Sequence, residues 1–190
     1  MRGGIIMRII SGKFGGRKIS PVPGTKTRPT TDKVRESLFN MIGPYFTEGS
    51  FLDLFAGSGA VAIEAISRGM KHAVLVDRQY AAFKTIKKNI EITNEEQSSF
   101  KVLKMDAEQA LKKLASKGEK FDYIFLDPPY AAQQMIKQLA EIKKYNLLNP
   151  KGIVICETDN QTNLSQVSNY DLIKQKDYGL TVITIYQAEE

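Results

Sequence analysis

The sequence predicts an α/β chain built on a doubly wound, mostly parallel sheet, and three observations carry that expectation. From Ser50 onward, short apolar runs alternate with helical stretches of the kind that cross over between parallel strands. The first run empties into a glycine-rich turn, Asp53-Leu54-Phe55-Ala56-Gly57-Ser58-Gly59. An acidic residue then follows each of the next two runs. With 190 residues and 42% apolar composition, the chain is long enough to bury one proper core.

The elements follow in chain order. Residues 7–20 read as a short basic hairpin, because apolar residues alternate from Met7 to Ile10 and again around Ile19. A Pro/Gly/Thr-rich loop covers 21–30. Thr31 caps a helix reaching Ile42, in which Val34, Leu38, Phe39, Met41 and Ile42 recur at helical spacing and should lie on the main domain, while Lys33 and Arg35 face elsewhere. Strands are expected at 51–55, 73–76, 100–103, 123–126 and 153–156, with helices starting near Ala60 and Gln79. The runs at 170–176 and 180–187 flank a turn at Asp177 to Gly179 and read as an antiparallel hairpin closing the sheet. The division expected is a basic arm and helix at 1–48 and a catalytic domain at 49–190, with Met1 to Ile6 an extension ahead of a functional start at Met7.

The charge is unevenly placed. Net +6 overall, the chain carries nine Lys or Arg and two acids in residues 1–40, whereas the remainder is close to neutral. Arg8, Lys13, Arg17 and Lys18 sit among glycines and are read as gripping a nucleic-acid backbone, the alternative being a solvated basic tail. Cys156, the only cysteine, has apolar neighbours and reads as a core thiol, and His72 is given no catalytic role. No apolar run approaches the roughly 20 residues of a membrane span and no long apolar leader opens the chain, so a cytoplasmic protein is expected.

Glycines at a strand-to-helix turn let a ligand approach the backbone, a feature shared by dinucleotide-binding enzymes and methyltransferases. Asp77, after the second strand of the sheet, is positioned to accept hydrogen bonds from ribose hydroxyls, or else only caps the following helix. Asp106, after the third, would bind an adenine amino group or act as a helix cap. Since the carboxyl ends of parallel strands line one crevice, Asp53, Asp77 and Asp106 should converge on a nucleoside-like ligand. The fourth strand is the most specific, ending in Asp127-Pro128-Pro129-Tyr130. The prolines fix the backbone and hold two acceptors, the Asp127 carboxylate and the Pro128 carbonyl, at the crevice. A base amine is a poor nucleophile because its lone pair is delocalised into the ring. Two acceptors on its two hydrogens would aim that lone pair at an incoming methyl, while Tyr130 stacks on the base.

Together the glycine turn, the strand-end acids and Asp-Pro-Pro-Tyr resemble the class I S-adenosylmethionine-dependent amino-methyltransferases, with their Rossmann-like fold. Two amino-terminal segments, Met7-Arg8-Ile9-Ile10-Ser11-Gly12-Lys13-Phe14-Gly15-Gly16-Arg17 and Arg28-Pro29-Thr30-Thr31-Asp32-Lys33-Val34-Arg35-Glu36-Ser37-Leu38-Phe39-Asn40, narrow the resemblance to the small-subunit ribosomal RNA methyltransferase D family, over essentially the whole chain. That resemblance implies methylation of the guanine N2 amine at nucleotide 966 of bacterial 16S rRNA, alone or within the small ribosomal subunit. The enzyme would be a monomer free of metal, yielding S-adenosylhomocysteine. It further implies that Gly57 and Gly59 flank the methionine moiety, that Asp53 orients its amino end, that Asp77 holds the ribose and that Asp106 with Ala107 holds the adenine. Arg28, Pro29 and Thr30 match the family's amino-terminal cofactor motif, and Phe55, Ala56 and Arg78 complete the cofactor set, Phe55 replacing the first glycine of the broader pattern.

Rival readings each leave something over. A DNA adenine or cytosine amino-methyltransferase normally adds a target-recognition region, for which little chain is spare. A protein glutamine methylase typically has Asn at the position of Asp127. A nicotinamide oxidoreductase would leave the fourth-strand tetrapeptide without a role, and a non-catalytic RNA-binding assembly factor would have no need to keep it intact.

Overall fold

In a computed structural model, residues 7–24, 30–129, 131–162, 164 and 167–189 are described, with the backbone alone at 131–133. Met1 to Ile6, Arg28, Pro29 and Tyr130 lie outside the described residues. The chain opens with β1 (Met7–Arg8) and β2 (Lys18–Ile19), paired antiparallel, followed by α1 (Asp32–Ile42). Then come β3 (Ser50–Asp53), α2 (Ala60–Ser67), β4 (His72–Asp77), α3 (Tyr80–Thr93), β5 (Phe100–Lys104) and α4 (Ala107–Ser116). The last elements are β6 (Phe121–Leu126), α5 (Ala131–Lys144), β7 (Leu148–Asp159), β8 (Tyr170–Asp177) and β9 (Thr181–Ala188).

Among the described residues, seven strands form one sheet in the order β5-β4-β3-β6-β7-β9-β8. The first five in that order run parallel, and β9 and β8 close the edge antiparallel, so the doubly wound sheet and its terminal hairpin are as expected. Successive side chains alternate between faces, and the two faces collect two cores. Phe51, Leu75, Phe125 and Ile155 pack beneath α1, α2 and α3, whereas Leu52, Val76, Leu126 and Cys156 pack beneath α4 and α5. Cys156 is the buried core thiol expected, and burial pushes its pKa up. Two boundaries differ. The first sheet strand stops at Asp53, before Phe55, and β7 runs well beyond 153–156 at both ends.

The basic arm is part of the core. Every residue of α2 is buried, as an all-round apolar helix requires, and the arm supplies the cover on its outer side through Ile9, Phe14, Val34 and Leu38. The hairpin tip also closes the end of α2. Gly12, at φ +83°, sits so near the Ser67 carbonyl that a Cβ there would stand 1.9 Å from its oxygen. The Lys13 amide donates to that carbonyl at 2.8 Å and the Phe14 amide to Ser67 Oγ at 3.0 Å.

One acid holds this junction. Glu64, fully buried within α2, accepts from the amides of Ile10 and Ser11 at 2.8 and 2.9 Å and from Arg68 Nε at 2.8 Å. Arg35 Nε stands 3.6 Å from the same carboxylate. Arg35 therefore does not face elsewhere with Lys33: it is wholly buried, and its Nη2 donates to the Arg8 carbonyl and to Asp32 Oδ1. Spaced three and four residues from Leu38 and Phe39, it shares their face, and Glu64 makes that burial tolerable.

Candidate active site

The carboxyl ends of the five parallel strands each bear an acid, and strand register fixes their heights. Asp53 pairs with Leu75 in β4 and Phe125 in β6, and Phe125 pairs with Ile155 in β7. Asp77, Asp127 and Glu157, each two residues beyond those partners, stand one pleat higher on the same face of the sheet. Asp53 is thus sunk between Asp77 and Asp127 at the point where the strand order reverses, with only 1% of its surface exposed. Burial lifts its pKa well above the usual carboxylate range, and the charges of Asp127 and Asp77 add to the shift. Its Oδ1 accepts from the Phe55 amide at 3.3 Å.

Above these ends lies a cavity of about 700 Å³, within the usual range for a small-molecule site. Thr30, Asp53, Phe55, Ala56, Gly57, Asp77, Arg78, Asp106, Ala107, Asp127 and Pro128 all line it, so most of the residues singled out in the sequence meet in one place. Gly59 does not line it. Held at φ +81° as the N-cap of α2, it is packed so that a Cβ would meet Leu75 at 3.0 Å and Ile86 at 3.4 Å. Its part is close packing of the turn. Gly57 is the glycine at the ligand's edge, with φ +53° and open space where a Cβ would stand.

Asp77 organises that turn: its Oδ2 accepts from the Gly57 amide at 3.0 Å and its Oδ1 from the Gln79 amide at 2.8 Å. A carboxylate has lone pairs beyond these two bonds, so the side chain can serve a ligand as well. Asp106 is the N-cap of α4, accepting from the Gln109 amide at 2.9 Å, and keeps a second oxygen at the cavity. Burial raises Asp127 to about 7. Glu157 rises to about 8 through burial and the nearby Asp127 charge, against the opposing hydrogen bond from Thr30 Oγ1 at 2.7 Å.

Arg8, Lys13, Arg17 and Lys18 lie away from the cavity lining. Lys13 pairs with Glu95 at 2.5 Å, and Arg17 donates to the Ile92 and Thr93 carbonyls, capping the end of α3. Lys18 is exposed, and the largely exposed Arg8 is 3.4 Å from Asp32.

Three residues near the site escaped the sequence reading. Glu157 obeys the rule that found the other strand-end acids, one residue past a predicted strand. Asn89, buried in α3, bonds the Ser20 backbone in both directions and donates to the Ser58 carbonyl at 2.8 Å, tying the arm to the glycine turn. Gln138 of α5 lines the cavity with a buried carboxamide oxygen that no described group serves. No motif announces it.

This cavity, lined by six carboxylic side chains against the two cations Arg78 and Lys137, suits a ligand bringing hydrogen-bond donors and positive charge. S-adenosylmethionine fits those terms with its diol, adenine amine, ammonium and sulfonium. A dinucleotide would bring its pyrophosphate to the glycine turn near Asp53 and Asp127, where negative charge is unwelcome unless cations offset it.

The family described as conserved hypothetical protein 95 matches residues 7–187. A Bacillus subtilis protein named "Putative rRNA methyltransferase YlbH" is 46% identical over 182 residues, covering 95% of this chain and 98% of that one. A Haemophilus influenzae protein named "Ribosomal RNA small subunit methyltransferase D" is 33% identical, covering 95% and 93%. Among solved structures, a conserved hypothetical protein from Streptococcus pyogenes superposes with a TM-score of 0.76 at 44% identity, over 82% of this chain and 96% of that one.

Proposed function

Because the chain belongs to the conserved hypothetical protein 95 family, whose relatives carry rRNA methyltransferase names, we propose that it methylates small-subunit ribosomal RNA. The acceptor is the exocyclic N2 amine of a guanine, nucleotide 966 of 16S rRNA by the family resemblance. The observation that supports this most is the meeting of Asp53, Asp77 and Asp127 in one cavity with the proline-fixed turn.

S-adenosylmethionine, when bound, supplies an electrophilic methyl group on a sulfonium. Asp106 and Ala107 hold its adenine, Asp77 its ribose, and Gly57 with Asp53 its amino-acid end. Arg28, Pro29 and Thr30 close over it from the arm. Asp127 and the Pro128 carbonyl accept the two amine hydrogens and so direct the nitrogen lone pair, with Tyr130 stacked on the base. As positive charge builds on that nitrogen, both acceptors bind more strongly. The surplus proton leaves to the Asp127 carboxylate, whose pKa near 7 suits it to take a proton at neutral pH. Arg8 and Lys18, the exposed cations of the hairpin, meet RNA phosphates, while Lys13 and Arg17 chiefly hold the arm to α3.

Asp77→Ala should weaken S-adenosylmethionine affinity about 10- to 100-fold, the worth of charge-assisted hydrogen bonds to a diol plus the loosened Gly57 turn. Calorimetry measures this directly. Unchanged affinity would remove Asp77 from the cofactor site.

A further inference from the structure

Resting on the methyltransferase reading above, we infer that Glu157 is a specificity-determining residue that selects guanine by accepting the N1–H beside the reactive amine. Asp53 and Asp77 end β3 and β4 and Asp106 comes after β5, the half assigned to the cofactor, and Asp127 follows β6 at the proposed reacting nitrogen. Glu157, on β7, is the next acid in that row, on the side away from the cofactor. Leu126 pairs with Cys156, so Asp127 and Glu157 stand side by side on adjacent parallel strands and on the same face.

The state of its carboxyl group points the same way. Glu157 is 8% exposed, and its Oε2 accepts from Thr30, a cavity-lining residue. Among the described residues no donor reaches Oε1. A carboxyl whose second oxygen meets no donor among the described residues, next to an amine-orienting acid on the adjacent strand, can complement a second donor on the substrate.

Base chemistry then discriminates. Guanine carries a ring N1–H directly beside its C2 amine, so it presents three hydrogens to the three acceptors Asp127, Pro128 carbonyl and Glu157. Adenine and cytosine carry a bare ring nitrogen beside their amines, whose lone pair would face the carboxylate once Glu157 is ionised, as pH rises through about 8. A site built to bond a substrate N–H strongly rejects an analogue lacking it, because the buried acceptor is left unpaired.

The test uses rRNA fragments in which the target guanine is replaced by 2-aminopurine, which keeps the C2 amine but has a bare N1. At a pH above about 8, where Glu157 is ionised, wild-type enzyme should prefer guanine by at least about 100-fold in kcat/KM. In Glu157→Gln, whose carboxamide can donate to a bare ring nitrogen, the preference should collapse to within about 10-fold. Cofactor affinity by calorimetry should stay within about twofold of wild type in that variant. Wild type methylating 2-aminopurine as readily as guanine would overturn the inference without recourse to any variant. So would an unchanged preference in Glu157→Gln, or a loss of cofactor affinity matching its loss of activity, which would assign Glu157 to the cofactor instead. Methylation of some other base by wild type would overturn the parent reading and this one with it, whereas guanine methylation with an unaltered preference overturns this inference alone.

Discussion

Asp127→Ala is expected to retain S-adenosylmethionine affinity within a few-fold and to lose turnover by roughly 10²- to 10³-fold, the usual cost of removing a group aimed at charge developing in the transition state. In the proposed mechanism the carboxylate faces the amine, whereas the residues proposed to hold the cofactor stand at the ends of β3, β4 and β5. The pH dependence separates its two roles. Only the ionised form accepts hydrogen bonds and the departing proton, so the wild-type rate should rise as pH increases through about 7. Asp127→Asn keeps an acceptor oxygen but cannot take the proton, and should lose that limb. Linkage gives an independent readout. Buried carboxyls whose pKa values are raised to about 7 and about 8 favour the folded state while protonated. Stability of the ligand-free protein should therefore fall as pH rises from the ordinary carboxylate range through about 8, and Asp127→Asn should flatten that fall. A pH-independent wild-type rate would remove Asp127 as the proton acceptor.

The second large effect is on stability. Glu64→Ala removes the carboxylate shared by two buried guanidinium groups and leaves the amides of Ile10 and Ser11 unserved. Breaking a buried pair in this way costs about 3–5 kcal/mol. In a chain of this size that lowers Tm by roughly 10 °C. Thermal denaturation followed by circular dichroism would register it. An arm that were merely a solvated tail predicts almost no change, and a fall under about 2 °C would show that Glu64 does not join the arm to the domain.

The sheet was legible because five apolar runs each carry the β signature and end at a chemical punctuation mark. Asp53, Asp77, Asp106 and Asp127 could be placed in one crevice from strand ends alone. What escaped has identifiable causes. Arg35 has the spacing of a core residue and the charge of a surface one, and charge decided the reading. Its compensating partner, Glu64, lies 29 positions away in the run Ala60-Val61-Ala62-Ile63-Glu64-Ala65, where a lone acid in an apolar helix was itself a signal. Gly59 was grouped with Gly57 because both lie in one turn, but backbone direction sends one toward the cavity and the other against Leu75. The basic arm looked like a free grip because pairwise partners such as Lys13 with Glu95, or Arg17 with the end of α3, form only in the folded chain.

Methylation of guanine N2 in small-subunit rRNA is decided by methyl transfer from labelled S-adenosylmethionine to small ribosomal subunits of a strain lacking the enzyme, followed by digestion to nucleosides. The label should appear as N2-methylguanosine at a single 16S rRNA position, with wild-type protein and not with Asp127→Ala. Label in N6-methyladenosine, in N4-methylcytosine or in protein, or its absence from the particles altogether, would contradict it.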